Sequence, residues 1–130
     1  MSATLTIRDE SATGQLFRSF LLELATDVTT VRELIRARVE QEVSAYNARP
    51  AEAPFNGLVQ PVGAEVVLNG FKPRHAIDAK EQADRAVEAF ARHQFFLLLD
   101  DRQVDDLDEL IVVRDVSKIS FVTLVPLVGG

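Results

Sequence analysis

The sequence predicts an α+β fold: a mixed sheet with one main helix across it and an inserted helical segment. Three observations point there. Strand-like patterns stand near both ends of the chain. A capped run of helical period follows the first two strands. A stretch rich in proline and glycine, carrying a second capped helix, then separates the two halves.

Residues 3–8, Ala-Thr-Leu-Thr-Ile-Arg, alternate polar and apolar, which predicts a half-buried strand with Leu5 and Ile7 inward. Turn formers fill Asp9 to Gly14. A second strand spans 15–25, with Phe20, Leu22 and Leu24 on one face, so the two strands form a hairpin. Thr30-Val31-Arg32-Glu33 is a capping box. Val31, Leu34, Ile35, Val39 and Val43 continue it as one face of a helix running to about Asn47, where Arg49-Pro50 ends it.

Residues 48–77 are punctuated by Pro50, Pro54, Pro61 and Pro73 and by Gly57, Gly63 and Gly70, with a short strand expected at 65–68. Asp78 and Glu81 form a second capping box, and Ala83, Ala86, Val87 and Phe90 carry an amphipathic helix to about His93. Phe95 to Leu99 is an unbroken apolar run, the mark of a strand buried on both faces or nearly so. Asp100-Asp101-Arg102 turns the chain into Gln103-Val104, and the acidic run 105–109 is expected to form a short helical turn. Leu110 to Val113 follows, then a turn at 114–118 and a last strand at 119–125. The first and last strands are natural central neighbours.

Composition narrows the function. The chain has 130 residues, 47% apolar and 26% charged, which supports a buried core and excludes global disorder. Residues 1–130 are read as a single domain with an insertion at about 48–93 and a tail at 126–130. Lys and Arg total 14 against 20 Asp and Glu, a net charge of −6. An acidic chain without a basic stripe is a poor phosphate binder, so no nucleic-acid partner is expected. No cysteine is present, which removes disulfides, thiolate nucleophiles and thiolate metal sites together. No apolar run approaches a membrane span and no leader pattern opens the chain, so a cytoplasmic protein without membrane contact is expected.

Enzyme signatures are missing. His75 and His93 lack metal-ligand spacing, no GxSxG pattern occurs, and Gly57, Gly63 and Gly70 form no phosphate-binding motif. No metal, no cofactor and no catalytic residue is expected. The acidic group Asp100, Asp101, Asp105, Asp106, Asp108 and Glu109 fits no calcium loop and reads as a solvated edge that could steer a basic partner.

Chemistry concentrates at the end of the chain. Gly129-Gly130 closes it, a pair that chance supplies in about one chain in 200. Glycine has no Cβ and a wide conformational range, so a diglycine end can thread a narrow channel and offer an unhindered carbonyl. Attack of that carboxylate on ATP gives an acyl-adenylate, which a partner's cysteine thiolate can take over. Pro126 stiffens the exit from the last strand, and Leu127 and Val128 complete the segment.

With these features in order, the chain resembles the ubiquitin-like β-grasp family. The resemblance rests on the hairpin at 3–25, Thr30-Val31-x-x-Leu34 opening the helix, Leu97-Leu98-Leu99-Asp100-Asp101-Arg102-Gln103-Val104, the acidic turn after it, and Phe121 to Gly130. It covers about residues 3–47 and 94–130, while the insertion departs from it. The apolar Val125-Pro126-Leu127-Val128 is similar to the tails of the molybdopterin and thiamine sulfur carriers, and bacterial ubiquitin-like proteins of conjugation operons fit such a hybrid.

The resemblance implies a protein modifier whose Gly130 is adenylated by an ATP-dependent activating enzyme. It is then passed to a conjugating enzyme with a catalytic cysteine and joined to a target protein, with a deconjugating protease to remove it. Conversion of Gly130 to a thiocarboxylate, as in a sulfur carrier, is the alternative, and a β-grasp interaction module whose diglycine does nothing is the second. Lys72, Lys80 and Lys118 are the side chains through which modifier chains could grow. If Ile119 and Phe121 face the helix, Val122 and Leu124 face away, and register with the family puts Phe96 and Leu98 outward beside them. These four form either a partner patch or, if the insertion covers that face, ordinary core.

Overall fold

In the computed structural model, residues 2–49, 54–61, 64–67, 70–73, 76–116 and 118–123 are described, with the backbone alone at 64–67 and 70–73. The fold is α+β. Its five-stranded sheet is built from β1 (Ala3–Ser11), β2 (Leu16–Leu24), β9 (Ile119–Thr123), β6 (Phe95–Leu99) and β7 (Arg102–Val104), in the order β2-β1-β9-β6-β7. The β1–β9 pair is parallel and the other three are antiparallel, so the sheet is mixed. First and last strands are central neighbours, as the sequence predicts.

Helix α1 spans Val31–Asn47. The Thr30 hydroxyl accepts from the Glu33 N–H at 3.1 Å, which is the N-cap half of the capping box. Two further N–H groups of the first turn, on Val31 and Arg32, donate to the carbonyls of Glu109 and Leu107. The acidic run 105–109 is therefore an irregular turn, not the helical turn its composition suggested. Its carbonyls are spent on the start of α1, while the Asp106 carboxylate accepts from the Asp108 N–H. The charges of that run lie where the helix dipole favours them, with Asp108 on Arg32 and Glu109 on Arg102. A small ladder missed by sequence reading, β3 (Val28–Thr30) on β8 (Leu110–Val112), fixes this corner.

The core lies between α1 and the sheet. Leu5, Ile7, Leu22 and Leu24 from the hairpin meet Leu97, Leu99, Ile119 and Phe121, and Val31, Leu34, Ile35, Val39 and Val43 cover them. Helix α2 (Ala79–Ala91), capped by Asp78, packs against α1 and buries Ala83, Ala86 and Phe90. Residues 54–61 run as a strap beside it. Phe55 meets Tyr46 edge-on, and the Gln82 and Arg85 side chains donate to the carbonyls of Val59 and Gln60. A second hairpin, β4 (Ala64–Val67) with β5 (Gly70–Pro73), replaces the single short strand expected there.

Among the described residues, one charged side chain is fully buried in this core. Arg38 lies on the apolar stripe of α1 and is 1% exposed. Its guanidinium donates two bonds to the Asp9 carboxylate, at 2.6 and 2.7 Å, and reaches Glu42 at 3.2 Å. It also rests over the Phe121 ring, 4.4 Å from the centroid. Burial alone would lower the Arg38 pKa, but Glu42 and Asp9 outweigh it and raise it, so the cation persists. Arg18 completes a neutral quartet by bonding both carboxylates, and Glu42 accepts from the Leu58 N–H of the strap.

Candidate functional site

The strand period sends alternate side chains of the sheet away from α1, and these build the candidate site. Register gives the rows. Leu16, Glu10, Val122 and Phe96 stand side by side across four strands at the end where β9 stops. The next row is Ser19, Arg8, Ser120, Leu98 and Gln103. Phe96, Leu98 and Val122 are each half-buried. Leu16 is 43% exposed and Phe17, beside the irregularity that ends the hairpin ladder, 58%. Leu21, opposite Thr6 in the same outward phase, is 63% exposed, so exposed apolar side chains continue along the β2 side of this face.

A short polar network crosses the middle. The Ser120 hydroxyl donates to Glu10 at 2.8 Å, and the Arg8 guanidinium lies 3.2 Å from the same carboxylate oxygen. The Ser120 bond is the main reason the Glu10 pKa falls below its ordinary value; partial burial opposes it and Arg8 adds to it. Glu10 is therefore held ionised in the middle of an apolar row. Such a face can bind by shape and apolar contact, with one ion pair, Arg8 with Glu10, to set orientation.

Among the predicted site residues, Phe96, Leu98 and Val122 come together on this face. Helix α2 packs against α1, on the opposite side. Leu124, Pro126, Leu127, Val128, Gly129 and Gly130 lie outside the described residues, as does the side chain of Lys72. Lys80 is exposed and bonds Asp84 one helical turn on, and Lys118 lies 3.7 Å from Asp101. Asp84 is held below the usual carboxylate range, first by that Lys80 bond and then by Arg36. Sequence reading missed Leu16, Phe17 and Glu10. The irregular register that turns Leu16 into the row with Glu10 leaves no mark in an apolar–polar pattern.

Among the described residues, no group of three or more His, Asp or Glu side chains is placed to hold a metal ion, and no helix is long and apolar enough to cross a membrane. Comparison with family models, with curated proteins and with solved structures finds no match.

Proposed function

We propose that this chain is a ubiquitin-like β-grasp protein whose business is conjugation through the carboxylate of Gly130. The observation that carries the reading is the placement of β9. The strand that leads to Gly129-Gly130 is the sheet's middle strand, hydrogen-bonded on both sides. It ends beside the apolar row of Leu16, Val122 and Phe96. A handle needs a rigid base, and the adenylating enzyme needs a surface next to the handle by which to hold the protein.

The chemistry follows from the carboxylate. Its oxygen attacks the α-phosphorus of ATP and pyrophosphate leaves, giving the mixed anhydride. A cysteine thiolate of the activating enzyme then attacks the carbonyl carbon and AMP leaves, forming a thioester. A lysine amine of the target can finally displace the thiolate. Glycine at both closing positions keeps the carbonyl open to each nucleophile in turn. The chemistry is the same whether Gly130 ends the chain as made or is exposed by trimming.

The test is to express the protein in its native cells and read the mass of the C-terminal peptide. Linkage of Gly130 to a lysine of another protein supports the proposal. Exchange of one oxygen for sulfur identifies a sulfur carrier instead. A free, unmodified Gly130 in the presence of every gene of its own locus overturns it. Deleting Gly129 and Gly130 is expected to abolish linkage with the thermal midpoint unchanged.

A further inference from the structure

The β3–β8 ladder has two unlike faces. Directly opposed residues of an antiparallel pair share a face, and successive residues alternate. Thr29 and Ile111 are opposed, and Ile111 is buried in the core. The other face therefore carries two pairs, Val28 with Val112 and Thr30 with Leu110. Leu110 is 68% exposed and Val28 45%, while Val112 and Thr30 are half-buried. The Thr30 hydroxyl is already engaged by the Glu33 N–H. One exposed leucine needs no explanation, but three apolar side chains facing one way form a patch. The patch is also held in place. The Val31 and Arg32 N–H groups donate to the carbonyls of Glu109 and Leu107, and the Val113 N–H donates to that of Asp27 at 2.8 Å. A surface fixed in advance loses little freedom on binding.

The surroundings of this patch are acidic. Residues 27–33 and 105–115, which build the corner, hold seven carboxylates and two arginines, in a chain of net charge −6. Both arginines already have a carboxylate: Arg114 lies 3.7 Å from Asp27, and Arg32 lies 3.3 Å from Asp108. Arg102, from outside the corner, takes Glu109. Glu33, Asp105, Asp106 and Asp115 are left as exposed surplus. Carboxylates alone make a solvated edge. Around an apolar face they select the sign of whatever covers it.

We propose that this face docks a basic amphipathic helix of a partner protein. Cross-strand pairs two residues apart are separated by roughly 6.6 Å along the strands. Leucines four residues apart on a helix stand about 6 Å apart. Two such leucines therefore match the spacing of the Val28–Val112 pair and Leu110, and lysines beside them on the helix meet the surplus carboxylates. Apolar contact supplies affinity, and charge supplies orientation and encounter rate. The ladder is a sheet of its own, separate from the strands that carry Leu16, Phe96 and Val122, and the docking is independent of any chemistry at Gly130.

The probes are three synthetic peptides of about 18 residues, long enough to form a helix. The first carries leucines at helical spacing with lysines beside them. The second exchanges its lysines for glutamates, and the third exchanges its leucines for glutamines. Each is titrated into the full chain while amide resonances are followed. The expected result is saturable shifts at Val28, Thr30, Leu110 and Val112 with the first peptide alone, weakened by added salt. Leu110→Ser is expected to weaken binding about tenfold, the scale of one leucine losing an apolar contact. Val28→Thr is expected to weaken it by less, and both variants should keep the thermal midpoint. A large fall in the midpoint at either position would mean that the face is covered in the folded chain, and overturns the proposal. Equal binding of the leucine-free peptide, which would mean charge alone, overturns it too, as do shifts confined to the Phe96 and Leu98 face. Shifts at the four positions that grow with protein concentration in the absence of peptide also overturn it, and mark the face as a contact between copies. Deleting Gly129 and Gly130 is expected to leave this binding unchanged, so its outcome and that of the conjugation test are read separately.

Discussion

Asp9 and Glu10 are neighbours in sequence and face opposite sides of the sheet. Asp9 turns inward and takes the fork of a buried arginine, with Arg18 behind it. Glu10 turns outward and is held by one hydroxyl and one half-exposed arginine. The two carboxylates are about equally exposed, and the difference lies in the cations: Arg38 has left water, and the geometry of its fork is what offsets that cost, whereas Arg8 is 34% exposed. The outer cation keeps part of its hydration, so its bond to Glu10 is worth less and is easier to rearrange. The helix side of the sheet spends its charges on holding the fold together, and the other side holds its ion pair where solvent reaches the arginine.

The hardest blow to this contrast is Arg38→Ala. It leaves the partly buried Asp9 and Glu42 with Arg18 as their remaining cation and opens a cavity where the guanidinium lay, and a loss of about 3 kcal/mol is expected by urea denaturation. Arg38→Lys keeps the charge and loses the fork, so it is expected to recover part of that loss.

Next come two leucines adjacent on β6. Leu97→Ala opens a cavity under α1 and is expected to cost about 3 kcal/mol, since Leu97 is wholly buried. Leu98→Asp, one residue on and facing the other way, is expected to stay within about 1 kcal/mol while weakening partner binding. Equal losses at the two positions would mean that the outer face is covered.

The finest test uses pH. The lowered Glu10 pKa means that the folded chain binds that proton less readily than the unfolded chain does. Its contribution is therefore complete above the unfolded glutamate value, near 4.3, and is lost as pH falls through the lower folded value. Ser120→Ala removes the largest cause of the shift, so stability measured by chemical denaturation should depend less on pH in that acidic window.

Local rules made much of the fold readable. Helix α1 stops at Asn47 and β6 occupies Phe95–Leu99, where spacing and the apolar run put them. Both helices are capped by their predicted N-cap residues, Thr30 and Asp78. The short ladders were not readable, because three residues carry too little period to stand above the background. The quartet was overlooked, yet its trace was there. Asp9 follows Leu5 and Ile7 in the inward phase, Arg18 precedes Phe20 and Leu22 in theirs, and Arg38 follows Ile35 and Leu34 by three and four residues. Three charges in apolar phase, two of one sign and one of the other, are the signature of a buried pairing. Of the candidate site, strand period turned Val122 away from the helix, the family resemblance set Phe96 and Leu98 beside it, and Leu16 needed the register to be seen.

The position of β9 has a consequence for quality control. Until residues 119–123 arrive, the β1–β2 and β6–β7 hairpins have nothing between them, and the sheet cannot close. The keystone and the segment after it are one continuous piece of chain. A molecule that has failed to assemble therefore also lacks the finished middle strand that precedes that segment, and under the proposed conjugation an enzyme that grips the finished sheet before acting at Gly130 would pass over misfolded copies without any separate inspection step.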